Sequence, residues 1–124
     1  MKDPANPVCR TISTLLSRIG DKWTVLVVQT LGEGPRRFNE LRREIPSVSQ
    51  RMLTLTLRNL ERDGLVSRTV TPSIPPRVDY ALTDLGHSLQ QPITALSQWA
   101  LDNVEAIHEA QASFDGEHDK AEAA

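Results

Sequence analysis

The chain has 124 residues, 39% hydrophobic and 24% charged, with a formal net charge of −2, which suits one compact domain plus an appendage and lies within the ordinary soluble range. No run approaches the roughly 18 apolar residues that span a bilayer, and the amino terminus lacks the apolar segment of a signal peptide, so the expected location is the cytoplasm with no membrane partner. One cysteine, Cys9, excludes an internal disulfide, and without a cluster of Cys and His ligands no structural zinc site, other metal or cofactor is expected.

The small net charge conceals a polarity. Residues 1–80 hold 13 of the 14 Lys and Arg and 8 of the 16 Asp and Glu, a net +5; residues 81–124 hold 1 and 8, a net −7. A basic half of this kind predicts a surface that faces phosphate, and the acidic half must turn away from the same polyanion.

In chain order, residues 1–10 carry two prolines close together without an apolar period and are expected to form a flexible arm. Ile12, Leu15, Leu16 and Ile19 follow at i, i+3, i+4, i+7, one face of a short amphipathic helix that Gly20 ends. Asp21 is the expected N-cap of the next helix, in which Trp23, Leu26, Val27, Thr30 and Leu31 keep helical spacing until Gly32 and Gly34. Both helices read as core. Gly34-Pro35 is turn chemistry, Arg36-Arg37-Phe38 is long enough only for a bridge, and Asn39 is placed to cap a brief helix that holds Leu41 and Ile45 inward and stops at Pro46.

A second helix begins three to four residues later, which is helix-turn-helix spacing. Its N-cap is either Ser49, or Ser47 in a capping box with Gln50. At about 100° per residue Leu53, Leu57 and Leu60 fall on one side and Arg51, Arg58 and Arg62 on the other, with Thr54 beside them. One face is thus apolar and the other cationic. A major groove about 12 Å wide admits such a helix, with side chains of the first turns reaching base edges. Asp63-Gly64 ends it. Residues 65–71 and 77–82, rich in Val, Thr and Tyr, predict two strands joined by a stiff PSIPP tip, with Arg68 and Arg77 on the two arms. A helix-turn-helix followed by such a hairpin is the layout of a winged helix.

Thr83-Asp84 opens a last helix. Leu85, Leu89, Ile93, Leu96, Trp99, Ala100, Val104 and Ile107 keep its apolar period beyond what a small core covers, over about 40 Å at roughly 1.5 Å per residue, with a kink expected at Pro92. A second copy of the same helix is the simplest cover for that stripe, which makes Leu89, Ile93, Leu96, Trp99 and Val104 the expected dimerisation residues of a homodimer. The expected fold is mainly α with a small β-hairpin wing: a flexible arm (1–10), a winged helix-turn-helix (11–82), a C-terminal dimerisation helix (83–112) and a disordered tail (113–124).

The segments IGDKW (19–23), GPRRFNEL (34–41), IPSVSQRML (45–53), LRNLERDGLVSR (57–68) and PPRVDYALTDLG (75–86) resemble, in order and as a set over residues 9–104, the HxlR-type regulators, bacterial winged-helix proteins related to the MarR group. The resemblance implies a homodimer that binds a partly palindromic double-stranded DNA operator, usually as a repressor. Carried over by position, Ser49, Gln50, Arg51, Thr54 and Arg58 match the reading helix, and Arg37, Arg68 and Arg77 match positions near the DNA backbone. Cys9 stands where several members carry a cysteine that senses oxidants or electrophiles. A thiol beside Arg10, near a helix amino terminus and on an exposed flexible start, is chemically suited to that role.

Three rival functions are weighed against this one. For an enzyme the chain lacks a phosphate-cradling glycine loop, and His87, His108 and His118 are scattered over the acidic half, so no catalysis is expected. A protein-binding scaffold would favour exposed apolar residues over Arg51, Arg58 and Arg62. Control by a small aromatic effector near Trp23 and Trp99, in place of a thiol, is compatible with the sequence.

Overall fold

The computed structural model describes residues 6–123, with side chains described for residues 6–119. The first helix, α1 (Pro7–Ile19), starts where Asn6 accepts the Val8 N–H at 2.8 Å and Pro7 opens the first turn. An Asn N-cap ahead of an N1 proline is a strong start signal, and it replaces the last part of the expected arm with helix; residues 1–5 lie outside the described residues. Cys9 is consequently on a helix and only 7% exposed, a correction to the exposed thiol expected from a flexible start. Leu15 and Leu16, expected in the core, are exposed.

Helix α2 (Lys22–Gly32) is capped by Asp21, whose carboxylate accepts the Trp23 N–H at 3.0 Å. Its buried residues are Thr24, Val27, Val28 and Leu31, again at i, i+3, i+4, i+7 but turned from the expected stripe, so that Trp23 is half-buried beneath the Lys22 ammonium and Leu26 is exposed. Helices α3 (Phe38–Glu44) and α4 (Gln50–Arg62) follow, then strands β1 (Val66–Thr71) and β2 (Arg77–Leu82), paired antiparallel from Val66 opposite Leu82 to Thr71 opposite Arg77. Arg36 adds an isolated bridge, its N–H and C=O bonded to Tyr80 at 2.9 and 2.8 Å. This ties the start of α3 to the hairpin. The core is aliphatic: Val27, Val28 and Leu31 of α2, Leu41 of α3, Leu53, Leu57 and Leu60 of α4, with Ile45, Val48, Leu65, Val66 and Leu82.

Helix α5 (Asp84–Ala123) holds Pro92 within it, and the chain divides into two units between Gln90 and Gln91, just ahead of that proline. In the first unit, Thr83 Oγ1 donates to the Gly64 carbonyl at 2.6 Å and accepts the Gly86 N–H at 3.1 Å, and Thr83 N–H bonds the Leu65 carbonyl. Gly86 allows this close approach, because a Cβ there would collide with the Leu65 carbonyl oxygen. In the second unit Leu96, Trp99, Leu101, Val104, Ile107 and Phe114 are exposed, whereas Ile93 is 2% exposed. Residues 113–123 of the expected disordered tail lie in α5 instead, since Ala, Glu and Lys extend a nucleated helix at little cost; residue 124 lies outside the described residues.

Gly86→Ala should lose stability by about 1–3 kcal/mol, the usual effect of forcing an extra methyl into a packed site. Urea unfolding checks this; a variant as stable as the parent would show that the Gly86–Leu65 approach is not a constraint.

Candidate nucleic-acid interface

The reading surface is assembled by capping and packing. Between Ile45, the C-cap of α3, and Ser49, the N-cap of α4, lie Pro46, Ser47 and Val48. Val48 is buried and anchors the turn. Ser49 Oγ accepts the Met52 N–H at 3.1 Å, so the N-cap is Ser49 and not Ser47. At the start of α3 the Glu40 carboxylate accepts the Arg37 N–H at 3.0 Å, which places Arg37 at the cap and Asn39 inside the helix. At the far end of α4, Gly64 at φ 77° lets its N–H reach the Glu61 carbonyl at 3.1 Å and Leu65 N–H reach the Leu60 carbonyl at 2.9 Å, the paired bonds of a Schellman motif.

Packing then sets the direction of each side chain. Helix α4 buries Leu53, Thr56, Leu57 and Leu60 against α2 and β1, leaving Gln50, Arg51, Thr54, Arg58 and Arg62 exposed. Among the described residues Arg51, Arg58, Arg62 and Arg68 are in no ion pair. Thr54 Oγ1 donates to the Gln50 carbonyl at 2.8 Å, so its proton is already committed. Leu55 was not among the expected site residues; it is 50% exposed on the arginine side.

One cleft lies between this helix and the wing, and another between α3 and the wing. Thr54, Arg58 and Glu61 of α4 with Arg68 and Tyr80 of the hairpin line one of about 380 Å³, where Arg68 and Tyr80 are cross-strand partners. Arg37, Asn39, Glu40 and Arg43 of α3 with Pro76 and Arg77 line another of about 720 Å³; Arg43 is an addition to the expected set. Arg77 Nε pairs with Asp79 at 3.0 Å, which fixes the side chain while leaving its two Nη groups without a hydrogen-bond partner among the described residues. At the wing tip Ser73 Oγ donates to the Pro75 carbonyl at 2.7 Å and Ile74 is fully exposed.

Other charges are structural. Arg36, grouped by sequence with the cationic surface, bonds Glu44 at 2.7 Å and Glu33 at 3.3 Å and donates to the Gly34 and Pro35 carbonyls; the hydrogen bond to Glu44, opposed by burial and aided by the charges of Glu44, Glu33 and Glu40, holds its pKa above the usual arginine value. Arg18 of α1 pairs with Asp63, the C-cap of α4, at 2.8 Å with side chains 21% and 14% exposed, so α1 is bonded directly to the end of the reading helix. Of the expected dimerisation residues, Leu96, Trp99 and Val104 are exposed, Leu89 is half-buried and Ile93 is 2% exposed. Among the described residues no group of three or more His, Cys, Asp or Glu is placed to hold a metal ion, and no helix is long and apolar enough to cross a membrane.

Helix, turn, outward cationic helix and hairpin together define a winged helix-turn-helix transcriptional regulator. The sequence profile of the HxlR-like helix-turn-helix family matches residues 18–108, and the chain belongs to that family. An HTH-type transcriptional regulator of Methanothermobacter thermautotrophicus is 47% identical over 89 residues, 72% of this chain and 68% of that protein. Among solved structures, the redox regulator HypR in its reduced form superposes with a TM-score of 0.72 at 39% identity, covering 80% of this chain and 98% of that one. Diamide-treated YodB from B. subtilis gives 0.68 at 35% identity, covering 78% and 96%.

Asp63→Ala should cost roughly 1.5–3 kcal/mol, as expected for losing a charge-assisted bond, whereas Arg51→Ala should stay within about 0.5 kcal/mol of the parent. Denaturant titration separates them; a large loss for Arg51→Ala would make that residue structural.

Proposed function

We propose that the protein acts in the cytoplasm as a homodimer that binds a partly palindromic DNA operator as a repressor, without catalytic activity of its own, and that oxidation or alkylation of Cys9 releases it. The observation that carries the DNA-reading part is the exposed face of Arg51, Arg58 and Arg62, free of ion pairs among the described residues. Phosphate contacts position a protein on the duplex and base contacts specify the site. Arg51, in the first turn behind the Ser49 cap, is the base-reading arginine, best suited to guanine O6 and N7. Arg58, Arg68, Arg37 and Arg77 hold phosphates, with Ser49 and Gln50 at the helix start and Thr54 beside Arg51. Exposed Leu96, Trp99 and Val104 support a second copy as partner, since a two-fold dimer buries such a stripe against itself and sets two reading helices about one helical turn of DNA apart.

Thiol control is supported by the place of Cys9 and by the likeness to HypR, a redox regulator, and to YodB, which was crystallised after diamide treatment. Cys9 lies in the first turn of α1, and terminal turns open locally at low free energy, giving a buried thiol access to reagent. Diamide takes two electrons and two protons as the sulfurs of two subunits join; a quinone adds to the thiolate instead. Either product prevents α1 from closing as before, and Arg18–Asp63 carries the change to α4. This coupling favours thiol control over an aromatic effector.

Footprinting on the protein's own upstream region, with and without diamide, tests partner, symmetry and control together: protection in two windows about one turn apart, lost on oxidation, is expected, and no protection at any site rejects the proposal. Arg51→Ala should weaken specific binding by about 1–3 kcal/mol, while Arg77→Ala weakens all sequences alike. Cys9→Ser should keep DNA binding and become indifferent to diamide; release that persists in Cys9→Ser rejects the thiol.

A further inference from the structure

Leu55 is the one aliphatic side chain on the arginine side of α4. It follows Arg51 by four residues and precedes Arg58 by three, so at about 100° per residue it lies among Arg51, Arg58 and Arg62, opposite Leu53, Leu57 and Leu60, which are at most 1% exposed. Half of its surface remains in water. Folding gains little from a leucine there, and its helix propensity is close to that of Arg or Gln. Its use must lie with whatever this face meets.

We propose that Leu55 is a specificity-determining residue that reads the C5-methyl group of a thymine in each half-site. The assignment rests on the DNA-binding function above and names part of its sequence code. In the major groove the edges of A, G and C offer hydrogen-bond donors and acceptors, whereas thymine adds an apolar methyl. Leu55 is the sixth residue of α4, within the amino-terminal part of a reading helix that reaches base edges. Its neighbours decide the chemistry. Arg51, Arg58 and Arg62 call for a polyanion, Thr54 has its hydroxyl proton bonded to the Gln50 carbonyl, and Leu55 itself can meet a base edge only by apolar contact. A protein groove would demand further exposed aliphatics beside Leu55, and the described face has arginines there instead.

The test uses the full chain and can begin without a known operator. Duplexes are selected from a random pool by the wild-type protein, and each thymine of the enriched site is then replaced by uracil, which removes only the methyl. One thymine per half-site should show about fourfold weaker binding as uracil, the ratio equivalent to roughly 0.8 kcal/mol for one buried methyl-sized group. Leu55→Ala, exposed and therefore not expected to disturb folding, should bind both duplexes at the level of the wild type on uracil. Leu55→Gln should move the selected base at that position toward adenine, which pairs with an amide. If the wild type is blind to every thymine methyl, or if Leu55→Ala keeps the discrimination or weakens both duplexes equally, the assignment of Leu55 is overturned while DNA reading stands. If nothing is enriched from the pool, both fall.

Discussion

The burial of Leu53, Leu57 and Leu60 against α2 is the constraint on which the cationic surface depends. These side chains are at most 1% exposed, and each fully buried leucine contributes about 1.5–3 kcal/mol of transfer free energy. Turning α4 about its axis would exchange them for Arg51, Arg58 and Arg62, and burying unpaired guanidiniums is far more costly than that gain. The helix therefore has one rotational setting. The outward charge follows from the inward apolar seam without any contact that holds the arginines themselves.

The ends of α4 are fixed by different chemistry. Ser49 caps the start, Gly64 closes the end, and the Arg18–Asp63 pair bonds that end to α1. On the other side of the turn, Arg36 gathers Glu33 and Glu44 around itself while its backbone holds Tyr80, so α3 and the wing keep a set spacing. Two classes of arginine result. Arg18 and Arg36 spend their donors within the protein, and Arg51, Arg58, Arg62 and Arg68 retain theirs.

Much of this is legible in the sequence because local signals agree with one another. The alternation of leucine and arginine along α4, the Asp21 cap, Gly64 and the two strands each carry their own physical signature. The differences arise where periodicity allows two answers. Helix α2 is apolar on most sides, so the stripe through Trp23, Leu26 and Thr30 and the buried one through Thr24, Val27, Val28 and Leu31 fit equally well, and only tertiary packing chooses. Arg36 cannot be told from Arg37 by sequence because its carboxylate partners come from two other turns of chain. Cys9 reads as exposed only when the Asn6-Pro7 helix start is overlooked, although that pair is a readable signal. Leu55 is invisible for the opposite reason: in sequence it is one more leucine in a leucine-rich helix, and only its half-exposed surface separates it from the core.

The central claim is that the unpaired guanidiniums of α4 form the contact with DNA, and the salt dependence of binding tests it most directly. Affinity of the full chain for a selected duplex should fall steeply and linearly on a log–log plot against salt, and an Arg58→Gln, Arg62→Gln variant of unchanged stability should give a slope shallower by about 0.9 for each phosphate that is no longer neutralised. Parallel lines for the two proteins would contradict the account.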